Sequence, residues 1–230
     1  MKIGGFQKTS LIEFPGRLSC IIFVQGCNFR CPFCHNPELV LPEKFSPLLD
    51  PAKITAFLQR RKQYLEGVVI TGGEPCLEGE RLLSFAKGLK AMGYLVKIDT
   101  NGAFPDVIRK VIEGGLVDYI AMDVKGPPGK YEKLSGVKVN VRDIEESISL
   151  IKSSGLDYEF RTTVARELLA VEDFEDMGGM LKGARLHYLQ RFIPSKTVGP
   201  EALSFHTYSD GEFEVIRGIM LKYVKECYVR

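Results

Sequence analysis

SCIIFVQGCNFRCPFCHNP, residues 19–37, is the stretch whose reading decides the fold. Its first six residues are apolar or small and rich in β-branched side chains, the composition of a strand covered on both faces. Gly26 then opens a loop in which Cys27, Cys31 and Cys34 follow as C-x3-C-x2-C, with His35, Asn36 and Pro37 behind them. A strand that runs into a loop of chemistry-bearing side chains is the habit of α/β sheets and barrels, where loops at the carboxyl ends of strands carry function.

Outward from this stretch, short apolar runs alternate with longer segments of helical period, the pattern of parallel strands joined by crossover helices. It predicts strands over Ser19–Val24, Gly67–Thr71, Leu95–Thr100, Tyr119–Val124, Tyr158–Val164 and Leu186–Phe192. Asp50 can cap, and Pro51 can open, a helix bearing Ile54, Phe57, Leu58 and Leu65. Further helices are expected over Glu80–Met92, Pro105–Glu113, Arg142–Ser153 and Asp173–Leu181, stopped by Gly93, Gly114, Gly155 and Gly183. Pro194–Gly211 reads as loop, and about Glu212–Glu226 as a last helix. Six strand–helix units predict an α/β fold, a partial (β/α)6 TIM-like barrel. The chain is expected to form one domain over residues 1–230, its barrel at about 18–193 and a C-terminal loop and helix at about 194–230.

The bulk properties agree with a globular chain: 31 Lys and Arg against 29 Asp and Glu leave a net charge of +2, with 45% apolar residues. Such a balance makes no electrostatic case for nucleic acid or an anionic membrane. The longest apolar run, Cys20–Val24, is far below the roughly 18 residues a membrane span needs, and the N-terminus lacks the apolar core of a secretion signal. A cytoplasmic location is expected.

Of the 6 cysteines, Cys27, Cys31 and Cys34 cluster while Cys20, Cys76 and Cys227 are scattered. Disulfides are not expected in a reducing compartment. Small buried packing residues have no reason to gather in a loop containing Pro and Asn. Structural zinc wants four ligands, and His35, adjacent to Cys34, is poorly placed as the fourth. A 4Fe-4S cluster held by three cysteines keeps one iron open for a ligand. Polar motifs also stand at the ends of the later strands: Gly72, Gly73, Glu74 and Pro75; Asp99, Thr100, Asn101 and Gly102; Asp123, Val124 and Lys125; and Arg161–Val164.

C-x3-C-x2-C with Phe33 before its last cysteine resembles the signature of the radical S-adenosylmethionine superfamily, and the later motifs follow in that family's order. The resemblance implies a 4Fe-4S cluster on Cys27, Cys31 and Cys34, whose open iron chelates S-adenosylmethionine and whose electron splits it to methionine and a 5′-deoxyadenosyl radical. It implies that Phe33, Gly72, Gly73, Glu74, Pro75, Asp99, Thr100, Asn101, Asp123, Lys125 and Arg161 surround that cofactor. Glu74 can accept from the methionyl ammonium and Lys125 can meet the carboxylate. Asp99 and Asp123 suit hydroxyls or, as in some members, a bound monovalent cation. Gln190 and Phe192 are weaker candidates, for the adenine or the barrel floor. His187 and His206 show no partner and read as structural, and Cys76 as a packing residue.

FQKTSLIEFPG, QGCNFRCPFC and the following HNP resemble the branch that activates glycyl radical enzymes, in particular the activating proteins of anaerobic ribonucleoside-triphosphate reductase. The partner implied is such a reductase, with a flavodoxin- or ferredoxin-type electron donor. Alternatives are an activator of pyruvate formate-lyase type, a small-molecule enzyme such as the carboxy-deazaguanine synthases, and a cluster-bearing sensor without turnover.

Overall fold

The computed structural model describes residues 1–230, which gather into two compact units. The first comprises Met1–Asn28, Glu38–Thr100 and Asp106–Ile120; the second comprises Phe29–Pro37, Asn101–Pro105 and Ala121–Arg230. No helix is long and apolar enough to cross a membrane.

In the first unit β1 (Ile3–Ser10) pairs antiparallel with β2 (Ser19–Val24), and β2, β3 (Gly67–Gly72) and β4 (Leu95–Thr100) run parallel. After a single turn, α1 (Pro37–Val40), the crossovers are α2 (Pro51–Arg61), α3 (Glu80–Ala91) and α4 (Pro105–Glu113). Asp50 caps α2 by accepting from the Ala52 N–H at 2.9 Å, with Pro51 at the first helical position, where its missing N–H costs nothing. Leu65, expected on that helix, is buried beyond its end. Ile22, Val68, Ile70 and Val96 on the strands and Leu58, Leu82, Ala86 and Leu89 on the helices are all buried. Successive side chains on a strand face opposite ways, so Lys97 and Asp99 share the face of β4 that Val96 and Ile98 do not.

β5 (Tyr119–Asp123) begins in the first unit and ends in the second. In the second unit β6 (Asp157–Val164), β7 (Leu186–Arg191) and β8 (Glu226–Val229) run parallel. The helices are a short α5 (Tyr131–Ser135), α6 (Val141–Ser153), α7 (Asp173–Leu181) and α8 (Asp210–Met220). Ser209 and Glu212 form a reciprocal capping box at the start of α8, satisfying donors that a bare helix end leaves orphaned. Phe160, Thr162, His187, Leu189 and Cys227 line the buried face of β6, β7 and β8, whereas Arg161, Thr163, Tyr188 and Gln190 line the half-exposed polar face.

All six expected strands are present, and two more flank them in sequence. β1 escapes the pattern because Gly4, Gly5 and the exposed Gln7, Lys8 and Thr9 blur any apolar alternation. The expected last helix stops at Met220, and Glu226 starts β8 instead of ending α8. Gly115, not Gly114, takes the left-handed conformation after α4, at φ 59°.

Candidate active site

The cysteine loop divides between the units: Cys27 belongs to the first, Cys31 and Cys34 to the second. None of the six thiols is in a disulfide. In the second unit the Cys34 N–H donates to the Cys31 carbonyl at 3.0 Å, folding the last two cysteines into one turn. Three outside contacts pin this turn. The Arg30 N–H donates to the Ser135 carbonyl at 2.7 Å, the Gly199 N–H to the Pro32 carbonyl at 2.9 Å, and the Val198 N–H to the Cys34 carbonyl at 3.0 Å. At Gly136, just past α5, φ is +69° and an added Cβ would overlap the Arg30 carbonyl, so only glycine fits there.

Beside this loop stands a cluster of charges. Asp123 accepts from Arg161 Nε at 2.8 Å and from Lys125 Nζ at 3.2 Å. Lys125 Nζ also lies 5.9 Å from the centroid of the Phe33 ring, within cation–π range. Burial opposes the Asp123 charge, but Arg161 and then Lys125 overcome it and hold the carboxyl well below its ordinary range. Burial likewise opposes the Lys125 charge, yet Asp123, then Cys31, keep its ammonium above the ordinary lysine range. Burial pushes the Cys31 thiol up to about 11, partly countered by Lys125. Arg161, which the resemblance places around the cofactor, is paired here with an acid, Asp123.

The chain of charges continues where the sequence reading did not look. Arg161 Nη1 lies 3.8 Å from Glu159 Oε1, which accepts from Arg230 at 3.0 Å, and the Arg230 guanidinium sits 4.1 Å over the Tyr188 ring. Glu159 is 2% exposed, a burial that carboxylates reach only when paired; its two-residue spacing from Arg161 was the available signal. Tyr131 was also missed: its hydroxyl accepts from the Lys125 N–H at 3.4 Å.

In the first unit the GGEP turn is stitched to the start of the cysteine loop. The Gly73 N–H donates to the Val24 carbonyl at 2.8 Å and the Glu74 N–H to the Gly26 carbonyl at 2.9 Å. Glu74 is buried, and its Oε1 accepts from the Cys76 N–H at 2.8 Å and from Thr100 Oγ1 at 2.7 Å. Expected as an acceptor for an ammonium, it is held here by an amide and a hydroxyl, and it caps the 3-10 turn Pro75–Glu78. Cys76 is buried, and its thiol is pushed well above the ordinary range by burial and then by Glu74. Asp99, expected to serve hydroxyls or a hard cation, pairs with the buried Lys97 at 2.5 Å. The signal for Lys97 was a lone cation inside LVKIDT, two residues from an acid. Asn101, in the second unit, accepts from the Ala103 N–H at 3.0 Å and closes the turn after β4.

The remaining candidates fall outside these clusters. His187 is buried, with Nε2 3.0 Å from Thr162 Oγ1 and Nδ1 4.0 Å from Cys227 Sγ, and burial lowers it to about 3. His206 has a partner the sequence did not show, Glu167, at 2.7 Å. Phe192 stands just past the carboxyl end of β7 and stacks on His35.

By residue type and spacing in the chain, the donor set suits an iron–sulfur cluster. Three thiols occur within eight residues, two of them in a pinned turn, and the partly buried Lys125 ammonium lies in electrostatic range of both. Soft thiolates select iron or zinc centres, and a nearby cation offsets the negative charge that such a centre brings.

Residues 21–181 match the Radical SAM superfamily. A Methanocaldococcus jannaschii protein assigned as a glycyl-radical enzyme activating enzyme is 31% identical over 232 aligned positions, covering 99% of this chain and 95% of its own. The pyruvate formate-lyase-activating enzyme of Clostridium pasteurianum is 24% identical over 204 residues, 86% of this chain and 83% of its own. Streptococcus suis SuiB bound to S-adenosylmethionine superposes with a TM-score of 0.64 at 13% identity, over 91% of this chain and 51% of that one. That likeness shows the expected α/β fold of the radical SAM type. The match runs through the cysteine loop and the strand ends that carry the motifs, and this chain belongs to the radical SAM superfamily.

Proposed function

We propose that the chain activates a glycyl radical enzyme, with anaerobic ribonucleoside-triphosphate reductase as its partner, by removing one hydrogen from a glycine Cα. Membership of the family makes it an enzyme that uses a 4Fe-4S cluster and S-adenosylmethionine. The observation that carries the reading is the pinned turn with the Cys31 and Cys34 thiols, set in electrostatic range of Lys125. Similarity to an assigned activating enzyme along almost the whole chain supports the choice of branch, and the reading takes residues 1–230 as one working domain in the cytoplasm.

Cys27, Cys31 and Cys34 would hold the cluster, which supplies the electron for reductive cleavage of the sulfonium to a 5′-deoxyadenosyl radical. Lys125, kept cationic by Asp123, would bind the methionyl carboxylate together with Arg161. Gly72, Gly73, Glu74 and Pro75 would lie along the methionyl ammonium, and Phe33 beside the nucleoside. Asp99, Thr100 and Asn101 would serve the ribose, with Asp99 and Asp123 available to a monovalent cation. A flavodoxin- or ferredoxin-type protein would deliver the electron.

The anaerobically reconstituted, reduced protein should convert S-adenosylmethionine to 5′-deoxyadenosine. With a candidate reductase it should generate a glycyl radical doublet in electron paramagnetic resonance. No cleavage under good reduction would leave a sensor, and cleavage without a protein radical would point to a small-molecule substrate.

A further inference from the structure

Nε2 of His35 is a buried side-chain nitrogen without a hydrogen-bond partner. The ring that carries it is fixed. It stacks on Phe192 with centroids 5.4 Å apart and planes at 24°. Phe192 is itself fully buried, and Phe205 braces it at 6.1 Å. On the backbone side, the bond from the Val198 N–H to the Cys34 carbonyl holds the residue immediately before it.

Leaving a buried polar atom unpaired costs about 1–3 kcal/mol, and native proteins seldom do so without a reason. A phenylalanine would make the same stack without that cost. An imidazole at this position calls for a partner from outside the polypeptide. Consecutive Cα atoms are about 3.8 Å apart, so His35 shares the neighbourhood of the Cys34 thiol. A cluster held there would present electron-rich sulfurs, which are acceptors only, and a neutral imidazole answers an acceptor by carrying its proton on the nitrogen that faces it.

We propose that His35 is a positioning residue whose Nε2–H donates a hydrogen bond to a sulfur of the iron–sulfur cluster and raises its reduction potential. Hydrogen bonds to cluster sulfurs are among the levers that set such potentials; the bond favours the reduced, more negative state, and no proton is transferred. This inference rests on the reading of the three cysteines as cluster ligands.

The test uses the full chain, reconstituted anaerobically without S-adenosylmethionine. His35→Phe keeps the stack and removes the donor, while His35→Gln restores an amide donor. His35→Phe should keep its iron and sulfide yet show about a tenfold lower ratio of reduced to oxidised cluster at a fixed potential, ~59 mV for a one-electron couple. His35→Gln should recover part of this. In the wild type, 15N-labelled histidine should show a nitrogen coupling to the spin of the reduced cluster. An unmoved midpoint in a fully loaded His35→Phe, or no such coupling in the loaded wild type, overturns the proposal. So does weaker S-adenosylmethionine binding with an unmoved midpoint, which would assign Nε2 to the nucleoside. A wild type that takes up no iron would instead bring down the cysteine assignment, and this inference with it.

Discussion

Gly73 sits so close to Gly26 that a Cβ on it would overlap the Gly26 carbonyl oxygen, the same oxygen that accepts from the Glu74 N–H. The two glycines bind the GGEP turn to the mouth of the cysteine loop through backbone alone. Gly73→Ala should cost about 2–3 kcal/mol by overpacking, whereas Gly88→Ala, with open space around it inside α3, should stabilise by up to about 1 kcal/mol. Urea denaturation under anaerobic conditions compares them, and equal midpoints would refute the close-approach role.

Lys97 and Asp99 form a buried pair, with side chains 1% and 8% exposed. Lys97→Met leaves the carboxylate without its ammonium and should destabilise by about 3–5 kcal/mol. Adding Asp99→Leu should return most of that loss. If Asp99 also serves the nucleoside, the double variant folds but binds S-adenosylmethionine poorly. Calorimetric titration beside the melting curve separates the two roles.

His187 stays neutral in the folded chain down to about pH 3, because burial disfavours its charged form. The unfolded chain takes up that proton below about pH 6.5. Stability from this group is therefore lost as pH falls from about 6.5 towards 3, at about 1.4 kcal/mol per pH unit. His187→Gln should flatten that slope, read from denaturation midpoints at pH 6.5 and 4.5. Parallel slopes would show that His187 is not the group responsible.

Cys31→Ala removes one proposed cluster ligand from a buried position. Its fold should survive, with a loss on the order of 1 kcal/mol, while iron content and cleavage of S-adenosylmethionine collapse. Full iron and full cleavage in this variant would end the ligand assignment.

Lys125→Ala leaves Asp123 paired with Arg161 at 2.8 Å, so the melting temperature should move little. Affinity for S-adenosylmethionine should fall about tenfold or more if Lys125 meets the methionyl carboxylate, a charge-assisted contact worth about 1.5–3 kcal/mol. Unchanged affinity in a titration would assign Lys125 to the Asp123 pair alone.

The sequence by itself determined the alternation of strands and crossover helices, because apolar period and turn chemistry are local properties of the chain. It also determined the cysteine loop, since three thiols within eight residues need no folding to be seen together. Partners distant in sequence were decided only by the tertiary structure. Arg230 reaches Glu159, 71 positions away, only through the parallel alignment of β6, β7 and β8. Glu74 turned inward to Cys76 and Thr100, and His35 was left with a buried nitrogen beside Phe192. The physical reason is common to these cases: a strand's period tells which residues share a face, but burial and charge pairing depend on what the neighbouring strands bring to that face.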